Sequence, residues 1–232
     1  MPSIPIVRIV LWIAITVSAP ALADQPTRQP DQSALEWFNA PPDKSAADVN
    51  EGNLVFLKKP PAKPAHHHHN AITLNRQTLD NGWAALVQCH ENLDQVGSAQ
   101  ILFNAKRTRK LAIASYSNIG RAWVENSSVQ MKNIGPGAKL CVTAQSRVLY
   151  VNGDGTYTLR NGPFMRKFLD GFYPLHLSMQ VKYDNVGLRF LRTLPLPQEG
   201  FVVQQQNHEV NLDTWFEGKL ITEIHFVGTS AP

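Results

Sequence analysis

The chain has 232 residues, 43% of them apolar and 17% charged, with a formal net charge of +4. That is enough for one ordinary domain with tails, and enough apolar material to bury a core. So mild an excess of cations argues against a strongly basic nucleic-acid binder, in which Lys and Arg concentrate on one face.

At the N-terminus, Arg8 precedes the apolar run 9–17, Ser18 and Pro20 break it, and residues 21–23 (ALA) offer a small-x-small cleavage pattern. The run is shorter than the roughly 20 residues a spanning helix needs. The pattern predicts a secretory signal over 1–23, cut after Ala23, and a periplasmic or secreted protein with no transmembrane insertion. Removing it leaves 21 basic and 18 acidic side chains.

Residues 24–64 are punctuated by Pro26, Pro30, Pro41, Pro42, Pro60, Pro61 and Pro64. They read as an extended, Pro-rich tail. Two short apolar pieces, 35–38 (LEWF) and 54–57 (LVFL), are too small for a core and are expected to dock onto the main domain or a partner.

Just after the tail come four consecutive histidines, His66 to His69, at the mouth of the first expected strand. On an extended chain, His66 and His68 face one way and His67 and His69 the other. Two imidazoles on one face chelate an ion when a third ligand arrives, and imidazole suits copper and zinc. A polar strand entrance with solvated rings is the bland alternative. His90, beside Cys89, is the candidate third ligand.

From residue 65 to 228 short β segments alternate with turn signals. Strands are expected at 71–75, 83–89, 100–103, 111–116, 122–125, 128–131, 139–149, 156–159, 175–183, 187–194, 209–212 and 220–227. Asn126-Ser127 and Asn152-Gly153-Asp154-Gly155 read as hairpin turns, and 134–137 (IGPG) as a further turn. Residues 164–169 (FMRKFL) are expected to form one or two helical turns ending at Gly171. Strands at about ten-residue spacing predict an all-β, disulfide-linked β-sandwich of Ig-like type over 65–228, with a barrel as competitor and a short C-terminal tail at 229–232.

Cys89 and Cys141 are the two cysteines. An even count in a chain bound for an oxidising compartment predicts a disulfide between them. Cys89-His90-Glu91-Asn92-Leu93-Asp94 resembles a shortened His-Glu-x-x-Asp zinc pattern but lacks the second histidine and follows a strand, so it reads as polar residues beside a disulfide. Lys106, Arg107, Arg109 and Lys110 form a basic loop suited to a polyanion, or simply to solvent. Phe164, Met165, Phe168, Phe172 and Tyr173 crowd one connecting segment, which reads as a cap on the sandwich or as a partner surface.

The sequence has no Gly-x-Ser-x-Gly, no P-loop, no dinucleotide fingerprint, no His-Glu-x-x-His and no Cys-x-x-Cys-His. These observations favour a non-enzymatic envelope protein that binds another envelope protein or a surface polymer. The first alternative is a periplasmic copper or zinc protein using His66–His69. The second is a hydrolase with a carboxylate pair that spacing alone does not reveal.

Overall fold

The computed structural model describes residue 50 and residues 52–168 and 171–229. The expected leader with its cleavage site, the apolar piece 35–38 and most of the expected tails lie outside the described residues.

Period-two alternation dominates, and nearly every element is a strand. In chain order they are β1 (Val55–Phe56), β2 (His67–Thr73), a short helix α1 (Arg76–Asn81), β3 (Trp83–Glu91), β4 (Ser98–Leu102), β5 (Thr108–Glu125) and β6 (Ser128–Arg147). There follow β7 (Leu149–Val151), β8 (Thr156–Phe164), β9 (Arg166–Phe168), β10 (Gly171–Tyr173), β11 (Leu175–Lys182), β12 (Leu188–Leu194), β13 (Phe201–Gln206), β14 (Glu209–Glu217) and β15 (Leu220–Gly228).

Nine strands share one sheet, in the order β1-β14-β11-β2-β3-β6-β4, with β13 also on β14 and β5 also on β6. Four form a second sheet, β12-β15-β8-β7, and β9 pairs with β10 as a separate ribbon. The large sheet is antiparallel except where β2 runs parallel to β11. Neither sheet closes on itself, so the architecture is the expected disulfide-linked sandwich and not the barrel.

The core lies between the two sheets. Ile72, Leu86, Met179 and Leu212 from the large sheet pack with Leu159, Leu188, Ile224 and Phe226 from the small one. All eight are buried. Each such side chain contributes roughly 1.5–3 kcal/mol by leaving water. A second cluster, including Val129, Met131 and Leu140, sits under the far half of β6. Val148 separates β6 in the large sheet from β7 in the small one, and its N–H donates to the Gly82 carbonyl at 3.0 Å.

Several local expectations need correction. Residues 134–137 do not turn the chain back; they lie within β6. Asn133 (φ 55) and Gly137 (φ 62) absorb the bend, while Asn118 Nδ2 donates to the Pro136 carbonyl at 3.0 Å. Residues 164–168 contain no helical turn: β8 ends at Phe164, and β9 folds onto β10 with Phe168 opposite Gly171. Over so short an apolar run, periods of 2 and 3.6 cannot be told apart. Helix α1 was not anticipated. Asn75 caps it by accepting from Thr78 N–H at 3.0 Å, Thr78 returns the favour to Asn75 N–H, and Gly82 (φ 76) ends it. Strand β13 was not anticipated either.

The apolar piece 54–57 docks on the sheet. Val55 and Phe56 pair with Glu217 and Phe216 at the edge of β14, and the Phe56 ring lies 5.2 Å from that of Phe201.

Candidate functional site

Strand β2 begins inside the histidine tract, three residues after Pro64, which cannot donate to a sheet ladder. Its antiparallel partner β3 sets His68 opposite His90, His69 opposite Cys89 and Asn70 opposite Gln88. Across β3, Cys89 stands opposite Cys141 of β6 and is bonded to it, with Cα atoms 4.1 Å apart. Strand alternation then directs His66, His68, Asn70, Gln88 and His90 to the inner face, and His67 and His69 to the outer one.

On the inner face the three predicted histidines meet. His66 Nε2 lies 2.8 Å from His90 Nδ1. The His90 ring centroid is 5.0 Å from that of His66 and 4.5 Å from that of His68. The Gln88 amide nitrogen donates to His90 Nε2 at 2.7 Å, so His90 carries its proton on Nδ1 and donates to His66 Nε2. The Asn70 carbonyl oxygen accepts from His68 Nε2 at 3.0 Å, which makes His68 Nδ1 the lone-pair nitrogen of that ring. Phe164 stands edge-on to His68 at 5.0 Å.

Burial makes these rings poor bases. It pulls His66 down to about 4, with Asp94 opposing and Arg166 assisting. Burial and the His66 neighbour bring His68 to about 3. His90 is held well below its ordinary value by burial and then by His68 and His66. All three are therefore neutral at pH 7, the form in which imidazole ligates a metal.

The trio opens into a cleft of about 490 Å³. Its walls are apolar at Leu86, Ile101, Phe103 and Phe164, and cationic at Arg107 and Lys167. No Asp or Glu lines it among the described residues.

The other singled-out residues disperse. Of the basic loop, Arg107 reaches the Gly162 carbonyl at 3.5 Å, whereas Arg109 stacks over Trp83 at 4.1 Å and bonds Gln145. Lys106 and Lys110 face solvent. In the aromatic segment, Phe164 and Phe172 are buried, while Met165 and Phe168 are about two-fifths exposed. Tyr173 is half-buried beside Phe168. Arg166 ties this ribbon down, its Nε donating to Asp94 Oδ2 at 3.1 Å and its guanidinium lying over Phe168 and Tyr173. Both acids of the Cys89–Asp94 stretch are engaged by cations, Glu91 by Lys139 at 3.0 Å and Asp94 by Arg166.

His176 was missed. It sits on β11 opposite His67, and the parallel pairing that brings it there leaves no mark in the sequence. With it, five of the chain's eight histidines lie on β2 or on the two strands beside it, and His66 immediately precedes β2.

Among the described residues, no group of three or more His, Cys, Asp or Glu side chains is arranged, as it stands, to hold a metal ion. What the inner face offers is a pair of imidazole nitrogens in contact and a third ring against them. Among the described residues, no helix is long and apolar enough to cross a membrane.

No protein-family model matches the chain, and no curated protein matches it. Among solved structures, a two-domain M1 zinc metallopeptidase bound to L-tryptophan is similar to it, with a TM-score of 0.33 and 11% identity over 79% of this chain. The chain spans 46% of that structure's length. A likeness so weak supports no inference about this protein.

Proposed function

We propose that this chain is a non-enzymatic, extracytoplasmic binding protein whose ligand is a copper or zinc ion held by His66, His68 and His90. The observation that carries this reading is the 2.8 Å approach of His90 Nδ1 to His66 Nε2 among buried, neutral imidazoles. At metal–nitrogen distances of about 2.0–2.1 Å, two ligands of a tetrahedral ion stand roughly 3.3 Å apart. To admit one, the pair opens by about half an ångström, His90 shifts its proton from Nδ1 to Nε2, and the Gln88 amide turns its carbonyl oxygen toward that nitrogen. His68 adds a third nitrogen once its ring turns toward the pair. Imidazole donors suit copper and zinc, and the Cys89–Cys141 bridge fits an oxidising compartment in which both metals occur. A carboxylate-pair hydrolase has less support, since among the described residues the cleft wall carries no acid.

A second reading is favoured by Arg107 and Lys167 in the cleft wall: the cleft takes an acidic group of an envelope partner or surface polymer.

A competition titration of zinc against a chromophoric chelator, on the disulfide-intact chain, tests the metal reading. Sub-micromolar affinity that weakens at least 10-fold in His66→Gln/His90→Gln is expected. Equal affinity in a folded double variant rules the inner site out.

A further inference from the structure

The outer face of β2 carries a second histidine cluster, separate from the first. His67 Nε2 and His69 Nδ1 converge on one atom, Ser178 Oγ, at 2.7 and 2.8 Å. A hydroxyl has one proton, so it donates to one of these rings and accepts from the other. One imidazole therefore already presents a lone pair at this point, and the other needs only a tautomer change to do so.

A third ring stands beside the pair. His176 stacks on His67 with centroids 4.0 Å apart, and on its far side Trp215 stacks on it at 4.3 Å with planes 6° apart. Its Nε2 donates to Asp213 Oδ2 at 3.0 Å. A carboxylate that accepts the second N–H of an imidazole fixes the ring, makes it a stronger donor and leaves Nδ1 as the lone-pair nitrogen. Glu91, opposite His67 on β3, and Asp213 place carboxylates on both flanks of the cluster, and Lys139 is the cation that pairs with Glu91.

We infer that His67, His69 and His176 form a second, solvent-facing site for copper(II) or zinc, with Asp213 as the residue that orients His176. Two imidazoles two residues apart on a strand make a bidentate pair. Borderline metals that favour nitrogen donors take such a pair while keeping water in their remaining positions, and copper(II) binds most tightly in that series. The β2 backbone separates this cluster from His66, His68 and His90, so the site stands whether or not the inner one binds.

Copper(II) titration of the full disulfide-intact chain, followed by native mass spectrometry and by nitrogen hyperfine structure in the electron paramagnetic resonance spectrum, tests it. His67→Gln/His69→Gln is expected to lose one equivalent of copper relative to the parent chain, with cooperative thermal unfolding retained in the metal-free state. Asp213→Asn is expected to weaken that equivalent roughly 10–100-fold without abolishing it. A double variant that retains the parent stoichiometry and spectrum overturns the site, and shows these rings to be a satisfied hydrogen-bond network around Ser178. His66→Gln/His90→Gln reports separately on the inner site: if it keeps the parent stoichiometry while His67→Gln/His69→Gln loses an ion, only the outer site binds.

Discussion

His66 Nε2 and His90 Nδ1 stand 2.8 Å apart although 24 residues separate them along the chain. The β2–β3 ladder sets His68 opposite His90, His66 lies two residues before His68, and the residue before His90 is disulfide-bonded across the next ladder to Cys141. A covalent tie, two hydrogen-bonded ladders and one imidazole pair thus follow one another within a few ångströms.

The tie is expected to stabilise both fold and site. On the chain-entropy account, a bridge between residues 52 apart contributes at most about 4 kcal/mol. Cys89→Ser/Cys141→Ser should lower the thermal midpoint by on the order of 10 °C by calorimetry. Its zinc affinity should fall in parallel, because β3 then positions His90 less firmly. A midpoint within 1–2 °C of the parent, a shift of roughly 0.5 kcal/mol, shows that the ladders alone suffice.

Acid should loosen the protein before its carboxylates protonate. His66 and His68 have folded-state values of about 4 and about 3, below the ordinary 6.5. Between those values the unfolded chain binds more protons than the folded one, so stability falls as pH drops from about 6.5 toward 4. It does not fall on raising the pH above 7. A drop in thermal midpoint of roughly 5–10 °C between pH 7 and pH 4.5 is expected. His68→Gln should flatten that profile. A parent profile already flat over this interval contradicts neutral burial of the trio.

The docked segment should depend on Gly218. It adopts φ +89, a region that L side chains avoid, and a Cβ there would overlap the Asn53 carbonyl oxygen. Gly218→Ala is expected to cost about 2 kcal/mol or more and to release β1 from β14. Hydrogen exchange at the Leu57 amide, which donates to the Trp215 carbonyl at 2.8 Å, reads this directly. Protection unchanged from the parent removes the glycine from the account of docking.

Arg166 is expected to hold the β9–β10 ribbon over the cleft. Its side chain is 18% exposed and forks onto Asp94. Removing one partner of a buried pair strands the other, so Arg166→Ala should cost roughly 2–4 kcal/mol in chemical denaturation. Arg166→Lys should recover less than half of that, since an ammonium neither forks nor stacks as a guanidinium does. Full rescue by lysine shows that charge alone matters.

Much of this was legible in the residues. Alternation in stretches such as 175–183 and 220–227 gave strands because one face of each is buried, and Asn126-Ser127 gave a two-residue hairpin because asparagine tolerates the positive φ it adopts there. The splitting of His66–His69 into two faces followed from strand geometry alone. What stayed hidden depended on partners distant in sequence. His176 reaches His67 through a parallel pairing, and the bends at Asn133 and Gly137 resolve into a continued strand only because β5 lies alongside. Helix α1 had a readable signal in Asn75-x-x-Thr78 followed by Asn81-Gly82, but six residues are too few for a periodic apolar face.

The most direct test of the central claim is native mass spectrometry of the untagged protein, purified from its own compartment without chelators, beside its His66→Gln/His90→Gln variant. The account predicts bound copper or zinc in the parent and one ion fewer in the variant. A parent chain that carries no metal and takes up none from equimolar zinc or copper would contradict it.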